Sequence, residues 1–275
     1  MTNPNRVQLA DLIVARLEQE RENLKNDFRK PGRINSCWLD DLLPGELALE
    51  IYKAFPSPEE MVALKSIREN KRIAAQVDLY NPLIEEIIFA FQDDRVVSIC
   101  EDITGIRNMM PDEMLYAGGI SLMAKGDFLN PHLDNSHDKE RANYRVLNLL
   151  YYVSPDWHLE NGGNLELWDR GVKGEPRTIV SRFNRLALMI TNKSSFHSVS
   201  KVVADKKRCC VSNYYFSREP AENGSYFHVT SFYGRPEEKF KGLSLKIDRN
   251  LRNFIRKITK KRIVETKHIY KKNKK

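Results

Sequence analysis

The sequence predicts a mainly β core, a barrel or double-sheet jelly roll, flanked by N-terminal helices and a basic C-terminal helix. Three observations carry that prediction. Between Tyr116 and Phe216 lie eight short segments rich in β-branched and aromatic residues, broken by Gly and Asn turn signals, with no helical pattern among them. Before residue 114 the apolar residues recur at helical spacing, and after Pro236 that spacing returns amid lysines and arginines.

The elements follow in order. Leu9, Leu12, Ile13 and Leu17 share one face of a first helix, and charged turns continue from it to Pro31. Pro44 opens a second helix that turns Leu47, Ile51 and Phe55 inward, and Pro56 and Pro58 close it. Pro82 opens a third through Phe91, and 96–103 makes a short fourth. The expected strands are 116–123, 132–135, 145–153, 164–168, 177–180, 185–190, 197–199 and 208–216, with Gly162-Gly163 as a tight turn between two of them. Ile247, Leu251, Phe254, Ile255 and Ile258 form an apolar stripe in the last helix. The chain thus divides into a helical N-terminal support, 1–113, a β core, 114–238, and a basic amphipathic tail, 239–275.

The formal net charge of +8 is unevenly spread. The tail holds 15 Lys and Arg against two acids, a net of +13, which leaves 30 basic and 35 acidic residues, a net of −5, in 1–238. A hydrophobic content of 41% excludes wholesale disorder, and 275 residues suffice to bury a core. Apolar runs such as 87–91 fall far short of the roughly 20 residues that span a bilayer. The first 21 residues read as a charged helix without a signal-peptide core. Cys37, Cys100, Cys209 and Cys210 form no C-x-x-C pair and no zinc spacing, so reduced thiols in the cytoplasm are expected. The tail has three readings: a helix packed on the core through its stripe, contact with an anionic membrane surface, or contact with nucleic-acid phosphates. Phosphate binding needs no apolar face, so the stripe argues against the last. The expected location is cytoplasmic, at the inner face of a membrane where the tail binds one.

Within the β core stand His132-Leu133-Asp134, His197 and Arg208. Residues i and i+2 of a strand point to one face, so His132 and Asp134 can grip one metal ion. His197, from a distant strand, closes a two-histidine, one-carboxylate triangle that leaves coordination positions open, the arrangement of non-haem Fe(II) oxygenases. Arg208 adds a rigid bidentate partner for the far carboxylate of a 2-oxo acid. Ser212 and Tyr214 share its strand face and are expected to line the same pocket. His137, five residues past His132, has poor strand geometry for a ligand. His137, His158, His228 and His268 are read as structural, and Cys209-Cys210 as buried packing.

The blocks FLNPHLDNSHD, LLYYVSPDW, ENGGNLELWD, FNRLALM, FHSVSKV and RCCVSNYYFS resemble, in this order, the catalytic core of 2-oxoglutarate/Fe(II) dioxygenases of the prolyl-hydroxylase type. The resemblance covers about 116–217. It implies a double-stranded β-helix with His132, Asp134 and His197 as iron ligands and 2-oxoglutarate held by Arg208. It also implies a hydroxyl from Tyr152 on the same carboxylate, O₂ as the second co-substrate, and hydroxylation of an unactivated C–H bond with succinate and CO₂ as co-products. Asp134 favours hydroxylation over halogenation, which needs that ligand position open. The chain departs from its relatives in having no tyrosine between 117 and 131, where a co-substrate tyrosine is common. The primary substrate is unidentified: a peptidyl proline, a sugar or glycan, and a small metabolite are all allowed. Segments 135–144 and 156–161 are expected to overhang the site and select it. Two alternatives remain beside this reading. One is a catalytically silent metal-binding jelly roll; the other is a nucleic-acid-directed oxygenase that uses the tail for capture.

Overall fold

A computed structural model describes residues 4–237 together with Tyr270 and Lys271. The chain begins with α1 (Arg6–Gln19), opened by a reciprocal capping box between Asn5 and Gln8, and buries Leu9, Ala10, Ile13 and Leu17. The helical run breaks at Glu20 and resumes as α2 (Arg21–Phe28). Then come β1 (Ser36–Leu39), α3 (Gly45–Lys53), β2 (Val62–Lys65) and β3 (Glu69–Ala74). In α4 (Pro82–Ala90), Asn81 caps the first turn and Pro82 takes the first helical position. α5 (Asp94–Thr104) ends on Gly105 in the left-handed conformation.

The strands that follow are β4 (Met110–Pro111), β5 (Gly119–Met123), β6 (Phe128–Leu133), β7 (Tyr144–Tyr152), β8 (Leu165–Leu167), β9 (Arg177–Ile179), β10 (Arg185–Ile190), β11 (His197–Val199), β12 (Arg208–Ser217) and β13 (Ser231–Phe232). They pair antiparallel in the order β1-β10-β7-β12-β5-β3-β6-β11-β8-β9, the curled sheet of a jelly roll. The apolar residues of β7, β10 and β12 are buried almost without exception, against α1, α4 and α5 in one core. All four cysteines lie buried as free thiols.

Two expectations need correction. The N-terminal region is not only helical: β1 extends one edge of the sheet, and β3 bridges its two halves by pairing with both β5 and β6. β3 reads Glu-Asn-Lys-Arg-Ile-Ala and is half-buried almost throughout, so neither apolar alternation nor β-branching marks it. The second concerns the metal strand. β6 starts four residues before the expected strand and ends at Leu133, so Asp134 lies just past its end.

β3 and β5 approach so closely that a Cβ on Gly119 would stand 2.3 Å from the Ala74 carbonyl oxygen. The Gly162 turn is tighter still: its φ is +69°, and a Cβ there would stand 2.0 Å from the Lys201 carbonyl oxygen.

Of the expected tail, only Tyr270 and Lys271 are among the described residues; the predicted stripe lies outside them. These two residues dock firmly. Tyr270 N–H donates to the Met114 carbonyl at 2.8 Å, its hydroxyl to Glu85 at 2.9 Å, and its ring packs 5.2 Å from Phe89 of α4. Gln76 closes a two-way amide clasp with the Lys271 backbone. Truncating a buried aromatic side chain costs about 3 kcal/mol, so Tyr270→Ala is expected to lower the thermal midpoint measurably. An unchanged midpoint would mean that the clasp contributes nothing. Among the described residues no helix is long and apolar enough to cross a membrane.

Candidate active site

β6 and β11 run side by side with His132 opposite His197, and their rings lie 4.1 Å apart. Asp134 closes the triangle: His132 Nε2 is 3.5 Å from Oδ1, and His197 Nε2 is 3.7 Å from Oδ2. All three residues are buried, and one ligand atom from each lies within 4.8 Å of the others. Each Nδ1 sits 3.0 Å from the backbone carbonyl two residues earlier, Asn130 for His132 and Ser195 for His197. A carbonyl only accepts, so Nδ1 carries the proton and Nε2 presents its lone pair.

The electrostatics agree. Burial alone would raise the Asp134 carboxyl, yet His132, His197 and the Arg145 guanidinium outweigh it and hold it well below the usual carboxylate range. Burial, and then the neighbouring His132, pushes His197 down to about 4. Oδ2 of Asp134 is buried without a hydrogen bond. Two ring lone pairs and an unsatisfied carboxylate oxygen facing one another fit a divalent cation.

The low His197 pKa has a consequence for the metal-free protein. An unfolded histidine takes up its proton near pH 6.5, whereas the folded one does so only near pH 4. Stability is therefore unaffected above about pH 6.5 and falls as the pH drops from there to about 4, by roughly 3 kcal/mol in total. Thermal melts with chelator present should show that slope, and His197→Asn should flatten it. Equal slopes in the two proteins would contradict the assignment.

A cavity opens beside the triangle. Arg208, Ser212 and Tyr214 of β12 line it as expected, joined by Asn148 of β7 and Met123 of β5. Arg208 is 3% exposed, and its side-chain partners among the described residues are uncharged: Ser181 Oγ at 3.4 Å, Met123 Sδ at 3.4 Å and the Tyr152 ring. A buried guanidinium with no carboxylate partner among the described residues is costly unless an anion binds there. Tyr214 accepts from the Asn148 amide at 3.1 Å.

Tyr152 does not line this cavity. Its ring centre lies 4.9 Å from the Arg208 guanidinium carbon, and its hydroxyl is buried beside Arg208 and Ser181. Burial pushes that hydroxyl up to about 12, against the opposing charge of Arg208. In the stretch that lacks a tyrosine, Leu122 belongs to the core and Met123 lines the cavity.

Arg145 escaped the sequence reading. It is 5% exposed, its Nη1 lies 3.5 Å from Asp134 Oδ2, and its guanidinium lies 4.6 Å from the Tyr214 ring centre. A lone arginine opening an apolar strand was the available signal. The floor opposite is held by Asp112, whose carboxylate accepts from the backbone N–H groups of Tyr116, Ala117 and Gly118 at 2.7–2.9 Å.

Residues 118–216 match the model of the 2OG-Fe(II) oxygenase superfamily. Over that stretch the chain is similar to a 2OG-Fe(II) oxygenase domain. The domain is prolyl-hydroxylase-like. It is 36% identical over 84 residues to the prolyl 3-hydroxylase OGFOD1 of Xenopus laevis, covering 29% of this chain and 16% of that protein. To the prolyl 3-hydroxylase OGFOD1 of Mus musculus it is 30% identical over 96 residues, 33% of this chain and 17% of that one. The matched stretch is thus about a sixth of those relatives' length. Among solved structures, the prolyl 4-hydroxylase of Phytophthora capsici superposes with a TM-score of 0.52 at 15% identity, covering 79% of this chain and 66% of that one. A prolyl-4-hydroxylase of Pseudomonas putida gives 0.50 at 16% identity, covering 77% and 100%. At such identities the likeness shows the jelly-roll fold. The cofactor of an oxygenase domain of this family is Fe(II), its co-substrate 2-oxoglutarate, and the buried triangle beside Arg208, which has no carboxylate partner among the described residues, fits both.

Proposed function

We propose that this chain is a 2-oxoglutarate- and Fe(II)-dependent dioxygenase that hydroxylates an unactivated C–H bond. His132, Asp134 and His197 would hold the iron, and Arg208 the far carboxylate of 2-oxoglutarate. The observation that carries this reading is a buried guanidinium, with no carboxylate partner among the described residues, in the same cavity as a buried His-Asp-His triangle.

When bound, iron with 2-oxoglutarate and O₂ supplies the oxidant that places one oxygen atom on the substrate carbon and the other in succinate, with release of CO₂. The chain's own residues set the stage. The carbonyls of Asn130 and Ser195 orient the two imidazoles before metal arrives, so little reorganisation is needed on binding. Arg145 keeps the outer Asp134 oxygen charged and in place. Tyr152 packs its ring against the Arg208 guanidinium and limits its freedom to move. Ser212 and Tyr214 add hydroxyls to the wall, and Met123 and Leu150 add apolar surface that limits water.

The similarity to prolyl 3-hydroxylases supports a proline in a peptide as substrate. Succinate formation should require Fe(II), 2-oxoglutarate and O₂ together and increase when the substrate is present. Proline-containing peptides, sugars and small metabolites are the arms of one assay. Absence of succinate with all three components present would refute the proposal.

A further inference from the structure

Asn148 and Tyr214 stand opposite each other in the β7–β12 ladder, and both line the cavity that holds His132, Asp134 and His197. Opposed residues of an antiparallel pair point to one face, which brings these two side chains into contact. The Asn148 amide nitrogen donates to the Tyr214 hydroxyl at 3.1 Å. Asn148 is 2% exposed, yet its side-chain oxygen has no hydrogen-bond partner among the described residues. A buried carbonyl oxygen left unpaired is costly, and such atoms are rare in folded proteins.

The pair has hydrogen bonds left to make. A phenol that accepts still has its own proton to give, and the amide oxygen still has its lone pairs. Turning the amide over leaves the balance unchanged: Tyr214 would donate to the oxygen and keep a lone pair, and the NH2 would be left to donate. In both orientations one donor and one acceptor remain side by side. Burial, and then the nearby Asp134, push the Tyr214 phenol well above its ordinary range, so it keeps its proton. The surroundings favour neither an anion nor a cation. Asp134 Oδ2 lies 3.5 Å from Arg145, whose guanidinium stands 4.6 Å from the Tyr214 ring centre, and the two charges offset each other.

The position of the pair separates it from the co-substrate clamp. Arg208 stands six residues earlier on β12, roughly 20 Å of extended strand. A 2-oxoglutarate held by Arg208 and reaching the triangle fills that side and leaves Asn148 and Tyr214 to another ligand. The loop 115–118 walls the same end. It lines the cavity and is fixed by Asp112, whose own N–H donates to the Tyr214 carbonyl at 3.1 Å.

We propose that Asn148 and Tyr214 form a primary-substrate subsite and hold a neutral group that both donates and accepts hydrogen bonds, a carboxamide or a hydroxyl. The proposal rests on the oxygenase reading above and names the substrate chemistry of that site.

The test uses the full chain loaded with Mn(II) and 2-oxoglutarate, which allows binding without turnover. The probes are N-acetyl-L-prolinamide, N-acetyl-L-proline methyl ester, which is close in shape but has no donor, and methyl α-D-glucopyranoside for the hydroxyl. Proton relaxation of each probe by the bound metal reports binding beside it, while relaxation of water and of 2-oxoglutarate reports loading. The amide or the glucoside should be relaxed, and the ester about fivefold less than the better of the two. Asn148→Leu and Tyr214→Phe should each erase that preference with loading unchanged. Tyr214→Phe keeps the ring against Arg145, so it carries the test alone if the leucine variant does not fold. An ester relaxed as strongly as the better polar probe, no response from any probe, or a preference that survives the variants refutes the subsite and leaves the oxygenase reading standing. Loss of 2-oxoglutarate loading in both variants refutes it too, by placing the pair with the co-substrate. If the parent loads neither Mn(II) nor 2-oxoglutarate, the oxygenase reading fails first and the subsite falls with it.

Discussion

Asp134→Ala should weaken ferrous-iron binding by more than about 100-fold, because the loss of residues that merely orient a metal ligand already costs 10- to 100-fold. The substitution removes more than a ligand. Asp134 is the carboxylate beside the buried Arg145, and it faces both histidine rings. Without it the Arg145 charge is left buried and unpaired, which costs about 3 kcal/mol of stability in the metal-free protein. The two effects can be separated. Circular dichroism and thermal melts report the stability loss, while metal titration of the folded fraction reports the ligand loss. Asp134→Glu keeps the charge near Arg145 and should recover most of the stability but little of the affinity. Iron binding in the alanine variant equal to that of the parent would remove Asp134 from the metal site.

Arg208→Leu should act with opposite signs on the free and loaded protein. In the free protein it replaces a buried guanidinium that has only weak partners with apolar volume, so the thermal midpoint should stay level or rise. In the presence of 2-oxoglutarate the parent gains stability by mass action and the variant should not. A bidentate charge-assisted pair contributes about 3 kcal/mol, equivalent to roughly 100-fold in affinity, so KM for 2-oxoglutarate should rise by that factor and kcat far less. Arg208→Lys retains charge but not the fork and should fall in between. A 2-oxoglutarate KM unchanged by Arg208→Leu would assign the clamp to another residue.

How much of this was legible beforehand varies by residue. His132, Asp134, His197 and Arg208 were readable because their chemistry forces particular residue types at particular spacings, and the structure brings all four to one cavity. Ser212 and Tyr214 followed from strand alternation along β12. Tyr152 is different. Strand pairing sets it opposite Cys210, and only packing brings its ring against the Arg208 guanidinium instead of onto the cavity wall. The short strand Ser231–Phe232 was silent, since nothing local to it suggests that it would pair with β6. β3 was equally silent: a polar segment becomes a strand because β5 and β6 both offer it unpaired edges.

The sequence by itself determined the donor set, the class of cofactor, the mainly β core and the asymmetry of charge. Those depend on residue identity and short-range periodicity. Only the tertiary structure decided which groups stand around the metal triangle. Arg145 against Asp134, Phe232 on His132 and His228 beside Ser136 are pairings across 11, 100 and 92 residues of chain. They arise from strand register, which forms only when the whole sheet closes.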